Sequence, residues 1–200
     1  MYMKRKLLGL MLCFASLFAI ISACEGKLPS PGQDPSPGFR ALYAAAENCS
    51  IQATLTADYG DRVTAFGVLY TYRREGDDTV EILSPPEVAG LQAVIGKDSS
   101  FLQYDGISLE TGKLPGLGAA PVEALSGVMA ALREGHQTAW GREKLRETPC
   151  VTMDFTSISG GTEIVRRLWL EEKTGMLLYA EVSAGGKRVL CIEIETFHMT

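Results

Sequence analysis

The side chains of this 200-residue chain that could do chemistry are few: two histidines, five cysteines and scattered carboxylates. His136 and His198 stand far apart, and neither has a second histidine or a cysteine pair at metal-ligand spacing. Each reads as a lone surface histidine. Glu193 and Glu195 fall on one side of a strand-like stretch, a spacing that could set a general acid beside a base; a solvated edge explains them better. There is no Gly-x-Ser-x-Gly, so the strained turn that presents a hydrolase nucleophile is absent. The glycine loop from Gly116 to Pro121 lacks the lysine and the strand-to-helix setting of a phosphate cradle. Gly76-Asp77-Asp78 reads as a turn, because the remaining ligands of a calcium loop are missing. The chain therefore reads as a non-enzyme without cofactor or metal.

Three of the five cysteines, Cys49, Cys150 and Cys191, sit among apolar residues in strand-like stretches and read as buried small hydrophobes. In an oxidising compartment a Cys150–Cys191 bridge is the sharper alternative, if their strands are neighbours. Cys24 has a different setting. Lys4, Arg5 and Lys6 precede an apolar run from Leu7 to Ile21, broken only by Gly9 and Ser16. The run is shorter than the roughly 20 residues that a membrane-spanning helix needs. A basic start, a short apolar centre and small residues at its end describe a secretory signal. Ile21-Ser22-Ala23-Cys24 resembles a bacterial lipobox, although Leu is commoner than Ile at the first position. The resemblance implies cleavage before Cys24 and a diacylglycerol on its thiol. Acyl chains hold by transfer into the bilayer, worth about 0.8 kcal/mol per CH₂.

The division expected is a signal peptide over 1–23, the lipidated Cys24 with a Pro/Ser-rich tether over 24–37, and a single domain over 38–200. Pro29, Pro31, Pro35 and Pro37 keep the tether extended and uncollapsed. It would hold the domain clear of the head groups. Without the three basic residues of the signal, 16 basic residues face 24 acidic ones, a net charge of −8. So acidic a domain is a poor partner for nucleic acid and gains nothing from anionic lipid.

These residues need elements to position them. Ser36-Pro37 reads as a cap and first turn, and Phe39, Leu42, Tyr43 and Ala46 recur on one helical face. Cys49, Ile51, Ala53 and Leu55 then alternate with polar residues up to a turn at Tyr59-Gly60-Asp61. Phe66, Val68, Tyr70 and Tyr72 continue beyond it, an antiparallel hairpin with one apolar face. Strands are expected at 79–83, after Leu91, and in a hairpin turning at Asp105-Gly106. Pro121 to Glu134 is the clearest helix, with Val122, Leu125, Val128, Met129 and Leu132 along one stripe and Gly135 to stop it. Residues 137–147 are ambiguous between strand and helix. Four strands follow, roughly 150–157, 163–171, 177–183 and 188–197. If their last connections are even-numbered, Leu168, Leu170, Leu177, Tyr179, Leu190, Ile192 and Ile194 share a face. Arg166 then opposes Glu181, while Trp169, Val165, Val182 and Val189 lie on the other side. The fold class is α+β: one large curved antiparallel sheet with helices covering its concave face. Such a sheet encloses an apolar space.

The stretches 66–95, 101–110 and 167–182, in this order around the helical segment, resemble the LolA/LolB-like lipoprotein-carrier superfamily. The resemblance covers most of residues 38–197 and rests on no single diagnostic motif. It implies a half-barrel lidded by helices with a cavity for acyl chains. Phe66, Val68, Tyr70, Leu125, Met129 and Trp169 are the candidate lining residues. The anchor departs from the soluble carriers of that family, which shuttle between membranes. The expectation is an extracytoplasmic protein lipid-anchored through Cys24 to the cell membrane, or to an outer membrane if the cell has one, binding lipid or lipoprotein acyl chains. A surface interaction lipoprotein with a packed interior and a protein partner is the alternative.

Overall fold

The computed structural model describes residues 33–96, 99–112 and 120–200. The signal peptide, Cys24 and the tether up to residue 32 lie outside the described residues. Asp34–Thr200 forms one compact unit.

The first helix, α1, spans Ser36–Ala45. Pro37 fixes its first turn, but Ser36 is not its cap. The Ser36 amide donates to Asp34 Oδ1 at 2.9 Å, so the carboxylate two residues upstream satisfies this free donor. The Ser36 side chain is instead fully buried.

Eleven strands make one antiparallel sheet. They are β1 Asn48–Asp58, β2 Val63–Arg73, β3 Asp78–Ser84, β4 Gln92–Ile95, β5 Ser100–Tyr104 and β6 Ile107–Gly112, then β7 Gln137–Leu145, β8 Thr148–Ser159, β9 Thr162–Glu171, β10 Leu177–Ala184 and β11 Lys187–Met199. The spatial order is β6-β5-β4-β3-β2-β1-β11-β10-β9-β8-β7. Each half is a meander, and pairing of the first strand with the last joins the halves. The sheet is curved and unclosed, an open half-barrel with β6 and β7 as its free edges. The second helix, α2 (Pro121–Glu134), lies in the connection between those edges and packs on β2, β3, β9 and α1. Leu125, Val128, Met129 and Leu132 of its stripe are fully buried. Tyr43 pins α1 to the turn between β9 and β10: its hydroxyl donates to the Gly175 carbonyl at 3.0 Å and accepts from the Leu177 amide at 2.9 Å.

Turn chemistry sets the registers. The β1–β2 loop has four residues, so Leu55, Ala53 and Ile51 oppose Phe66, Val68 and Tyr70 as expected. Asp105-Gly106, Gly160-Gly161 and Gly185-Gly186 all have positive φ, the two-residue turns whose twist suits a hairpin. Residues 137–147 hold strand β7 and its turn; the helix-favouring composition of "REKLRE" yields to pairing with β8, and its charges stand on a free edge where they discourage further pairing.

The last strands depart from expectation. The β9–β10 connection, Glu172 to Met176, has five residues, and a bulge follows between Leu177 and Tyr179. Arg166 therefore opposes Val182, and Glu181 opposes Arg167. Val182 is buried inside, whereas Tyr179 is only half-buried and packs against Trp169. One inserted residue exchanges the two faces of a strand, because side chains alternate with period two. A Cys150–Cys191 bridge is ruled out on the same ground. β9 and β10 separate their strands, which puts them about 14 Å apart at a strand spacing of about 4.8 Å, beyond disulfide reach. Both thiols are free.

Candidate hydrophobic-ligand site

Directly paired residues share a sheet face, so the register traces the concave wall. One row runs from Ile51 through Tyr70, Val80, Ala93 and Leu102 to Leu109. The first four are 0% exposed, Leu102 is half-buried, and Leu109 is 62% exposed. The neighbouring pair Tyr104–Ile107 repeats the pattern at 48% and 72%. The apolar wall thus continues over β5 and β6 past the strands on which α2 packs.

The lining residues expected from sequence divide into two groups. Val68 and Tyr70 on β2, and Leu125 and Met129 on α2, meet in one core cluster with no exposure, and half-buried Phe66 packs at its margin. Trp169 is elsewhere. Its neighbours Leu168 and Leu170 point into the core, so its indole stands on the convex face, tilted against the Tyr179 ring at 5.1 Å and donating to Glu143. Two cavities formed by described residues lie away from all six. One of about 450 Å³ wraps the Asp105-Gly106 turn, lined by Glu81, Gln92, Gln103 and Ser108 together with Tyr104 and Ile107. The other, of about 270 Å³, lies beside Cys49, Thr71, Tyr72 and His198.

The interior also holds a polar group that sequence reading missed. Asp78, taken for a turn residue, is the first residue of β3 and only 8% exposed. Its Oδ2 accepts from the Tyr70 hydroxyl at 2.7 Å and from Ser126 Oγ of α2 at 3.0 Å. The guanidinium of Arg133, two turns further along α2, lies 4.1 Å from the Tyr72 ring centroid. Burial pushes the Asp78 carboxyl above the usual carboxylate range, opposed by the two hydrogen bonds and the Arg133 charge. Burial and the Asp78 charge raise the Tyr70 phenol. Burial pushes the Cys49 thiol up to about 12. Both donors to Asp78 come from elements that face each other, so the group fixes the seating of α2 on the sheet. The signal available in sequence was slight: Asp78 begins an alternation with Val80 and Ile82.

The residues first weighed for chemistry stay apart. His136 and His198 are exposed. Glu195 accepts from Thr54 Oγ1 at 2.7 Å and Gln52 Nε2 at 3.1 Å, while Glu193 pairs with Arg146 at 3.5 Å. β11 is a central strand, so these glutamates occupy its solvated face and not an edge. Among the described residues no group of three or more His, Cys, Asp or Glu could hold a metal, and no helix is long and apolar enough to cross a membrane.

No family model and no curated protein matches the chain. Solved structures do. An uncharacterized conserved protein from Thermus thermophilus is similar at 11% identity over 84% of this chain and 88% of that one, with a TM-score of 0.52. A LolA superfamily protein from Nitrosomonas europaea is similar at 8% identity over 82% and 93%, with a TM-score of 0.43. The lipoprotein LppX from Mycobacterium tuberculosis is similar at 12% identity over 80% and 95%, with a TM-score of 0.38. In fold this chain is similar to a group of solved structures that includes a LolA superfamily protein, and at these identities the likeness extends to the fold alone.

Proposed function

We propose that this protein is an extracytoplasmic lipoprotein, anchored through diacylglycerol on Cys24, whose half-barrel binds a hydrophobic ligand: lipid, or the acyl chains of another lipoprotein. The observation that carries this reading is the apolar row from Ile51 to Leu109, fully covered at one end and open to water at the other. An acyl chain laid on Leu102, Tyr104, Ile107 and Leu109 removes exposed apolar surface from water on both partners. From there it reaches the Leu125–Met129 face of α2 by parting the helix from the sheet. Few polar contacts are required, and selectivity would rest on length and shape.

The zero exposure of Val68, Tyr70, Leu125 and Met129 favours a second reading, a packed interior and a protein partner. Native mass spectrometry of the processed chain extracted from its envelope separates the two. A covalent anchor appears as a fixed mass increment on the chain, and a bound lipid as a dissociable one. Reproducible dissociable lipid that disappears in Leu109→Asp, with the fold retained by circular dichroism, supports the first reading. A chain that carries its covalent increment and never a dissociable one sinks it.

A further inference from the structure

A row of polar side chains backs the apolar wall at its open end. Glu81, Gln92, Gln103 and Ser108 stand directly opposite one another across β3, β4, β5 and β6. Their strand neighbours Val80, Ile82 and Ala93 belong to the core, so the row lies on the convex face of the sheet. Together with Tyr104, Asp105 and Ile107 these residues line the cavity of about 450 Å³ at the β5–β6 turn. The Tyr104 ring reaches across toward the β3–β4 connection, to 4.0 Å from where a Cβ on Gly90 would stand. Two features set this cavity apart from an ordinary solvated face. Among the described residues, the side chains of Glu81, Gln92, Gln103, Asp105 and Ser108 have no hydrogen-bond or ion-pair partner. Carboxylates elsewhere on the convex face are satisfied by the protein itself: Asp154 by Arg167, Glu181 by Arg188, and Glu195 by Thr54 and Gln52. The second feature is continuity. Tyr104 and Ile107 end the apolar wall and also line the cavity, so a ligand whose tail covers Leu102 and Leu109 brings its polar end to this turn.

We infer that the cavity receives the head group of the lipid, and that the head it fits is uncharged and rich in hydroxyls. The inference rests on the acyl-chain reading above and names the class of lipid. The charged residues among the described lining are two carboxylates, Glu81 and Asp105, with no Lys, Arg or His beside them. A phosphate or carboxylate head would meet like charge there and no cation to pair with. The remaining polar groups are the amides of Gln92 and Gln103 and the hydroxyl of Ser108, each able both to donate and to accept. Hydroxyl groups also do both, so a sugar-like head can satisfy amides, hydroxyl and carboxylates together. A primary ammonium only donates and would leave the amide N–H groups unmatched. The volume of about 450 Å³ lies within the range of small-molecule sites.

The test offers the processed full chain, held in an uncharged detergent, equal amounts of three lipids with the same pair of oleoyl tails: a glucosyl diacylglycerol, phosphatidylglycerol and a trimethylammonium lipid. Native mass spectrometry reads each as a separate dissociable mass. The glucosyl adduct should be the largest of the three and exceed the phosphatidylglycerol adduct by about tenfold. Glu81→Gln with Asp105→Asn removes both charges, and Asn tolerates the positive φ of position 105. This pair should raise the phosphatidylglycerol adduct and leave the glucosyl one unchanged. Gln92→Ala with Gln103→Ala should lower the glucosyl adduct alone, with native circular dichroism in both variants. Equal adducts of all three lipids on the unaltered chain overturn the inference and leave the acyl-chain reading standing. A dominant trimethylammonium adduct also overturns it, and makes the cavity a cation site. No dissociable adduct of any lipid overturns the acyl-chain reading, and this inference falls with it.

Discussion

Removing one oxygen atom from the interior should measure how α2 is held. Tyr70→Phe deletes the hydroxyl that donates to Asp78 Oδ2 at 2.7 Å and leaves the ring in place, so no large cavity opens. A hydrogen bond to a charged group contributes about 1.5–3 kcal/mol, and between neutral groups about 0.5–1.5. Asp78 keeps Ser126 as a donor at 3.0 Å, so a loss of about 2 kcal/mol at pH 7 is expected. For a domain of this size that is a fall in Tm of about 4–8 °C. The loss should depend on pH. The folded-state carboxyl of Asp78 is raised above its unfolded value by burial, so the native state holds this proton more tightly. Its contribution to stability is therefore fully present below the unfolded value and is lost as pH rises through the folded one. Tyr70 stabilises the carboxylate more than the acid, and its removal raises the carboxyl further. The penalty should shrink toward the neutral-bond range once Asp78 is protonated. Urea unfolding followed by circular dichroism at neutral and acidic pH, at unchanged m, tests this. A penalty below about 0.5 kcal/mol at pH 7, the lower bound for any hydrogen bond, would refute the reasoning. So would one that grows on acidification.

Three further outcomes follow from the same geometry. Gly175 has φ +72°, and a Cβ there would stand 2.7 Å from Phe39 Cδ1, so Gly175→Ala should cost at least about 1–2 kcal/mol and release α1, read as faster amide exchange over residues 36–45. With its thiol pushed up to about 12 and 2% exposed, Cys49 should react with iodoacetamide at pH 8 at least about a thousandfold more slowly than a free cysteine, and a rate within tenfold would contradict its placement. Trp169→Phe should leave the dissociable lipid of the processed chain unchanged, because the indole stands on the convex face; loss of lipid with the fold intact would return Trp169 to the site.

Local sequence determined a great deal, because short-range physics suffices for it. Alternation in 49–57 and 66–72 set the first hairpin and its inward face, since its four-residue loop carries no bulge. Pro121, the Val122–Leu132 stripe and Gly135 bounded α2 at the residues observed. Glycine pairs placed the late turns, where positive φ is required at two successive positions. The α+β class with one wide curved sheet followed from the count and alternation of the strands, and the half-barrel from the family resemblance.

Tertiary structure decided the rest. A single bulge after Leu177 reversed Tyr179 and Val182 and broke the expected Arg166–Glu181 pair, because a register depends on a loop length and a bulge that no local pattern announces. The strand order placed Cys150 and Cys191 beyond bonding distance. Asp78 looked like a turn residue until a donor from the neighbouring strand, Tyr70, and a distant one from α2, Ser126, closed on it. The assignment of Trp169 and Leu168 to opposite sides of one wall, and the alignment of Glu81, Gln92, Gln103 and Ser108 in one row, arise only when eleven strands share a single curved sheet. Sequence states how apolar each residue is; the sheet alone determines which of them water can reach.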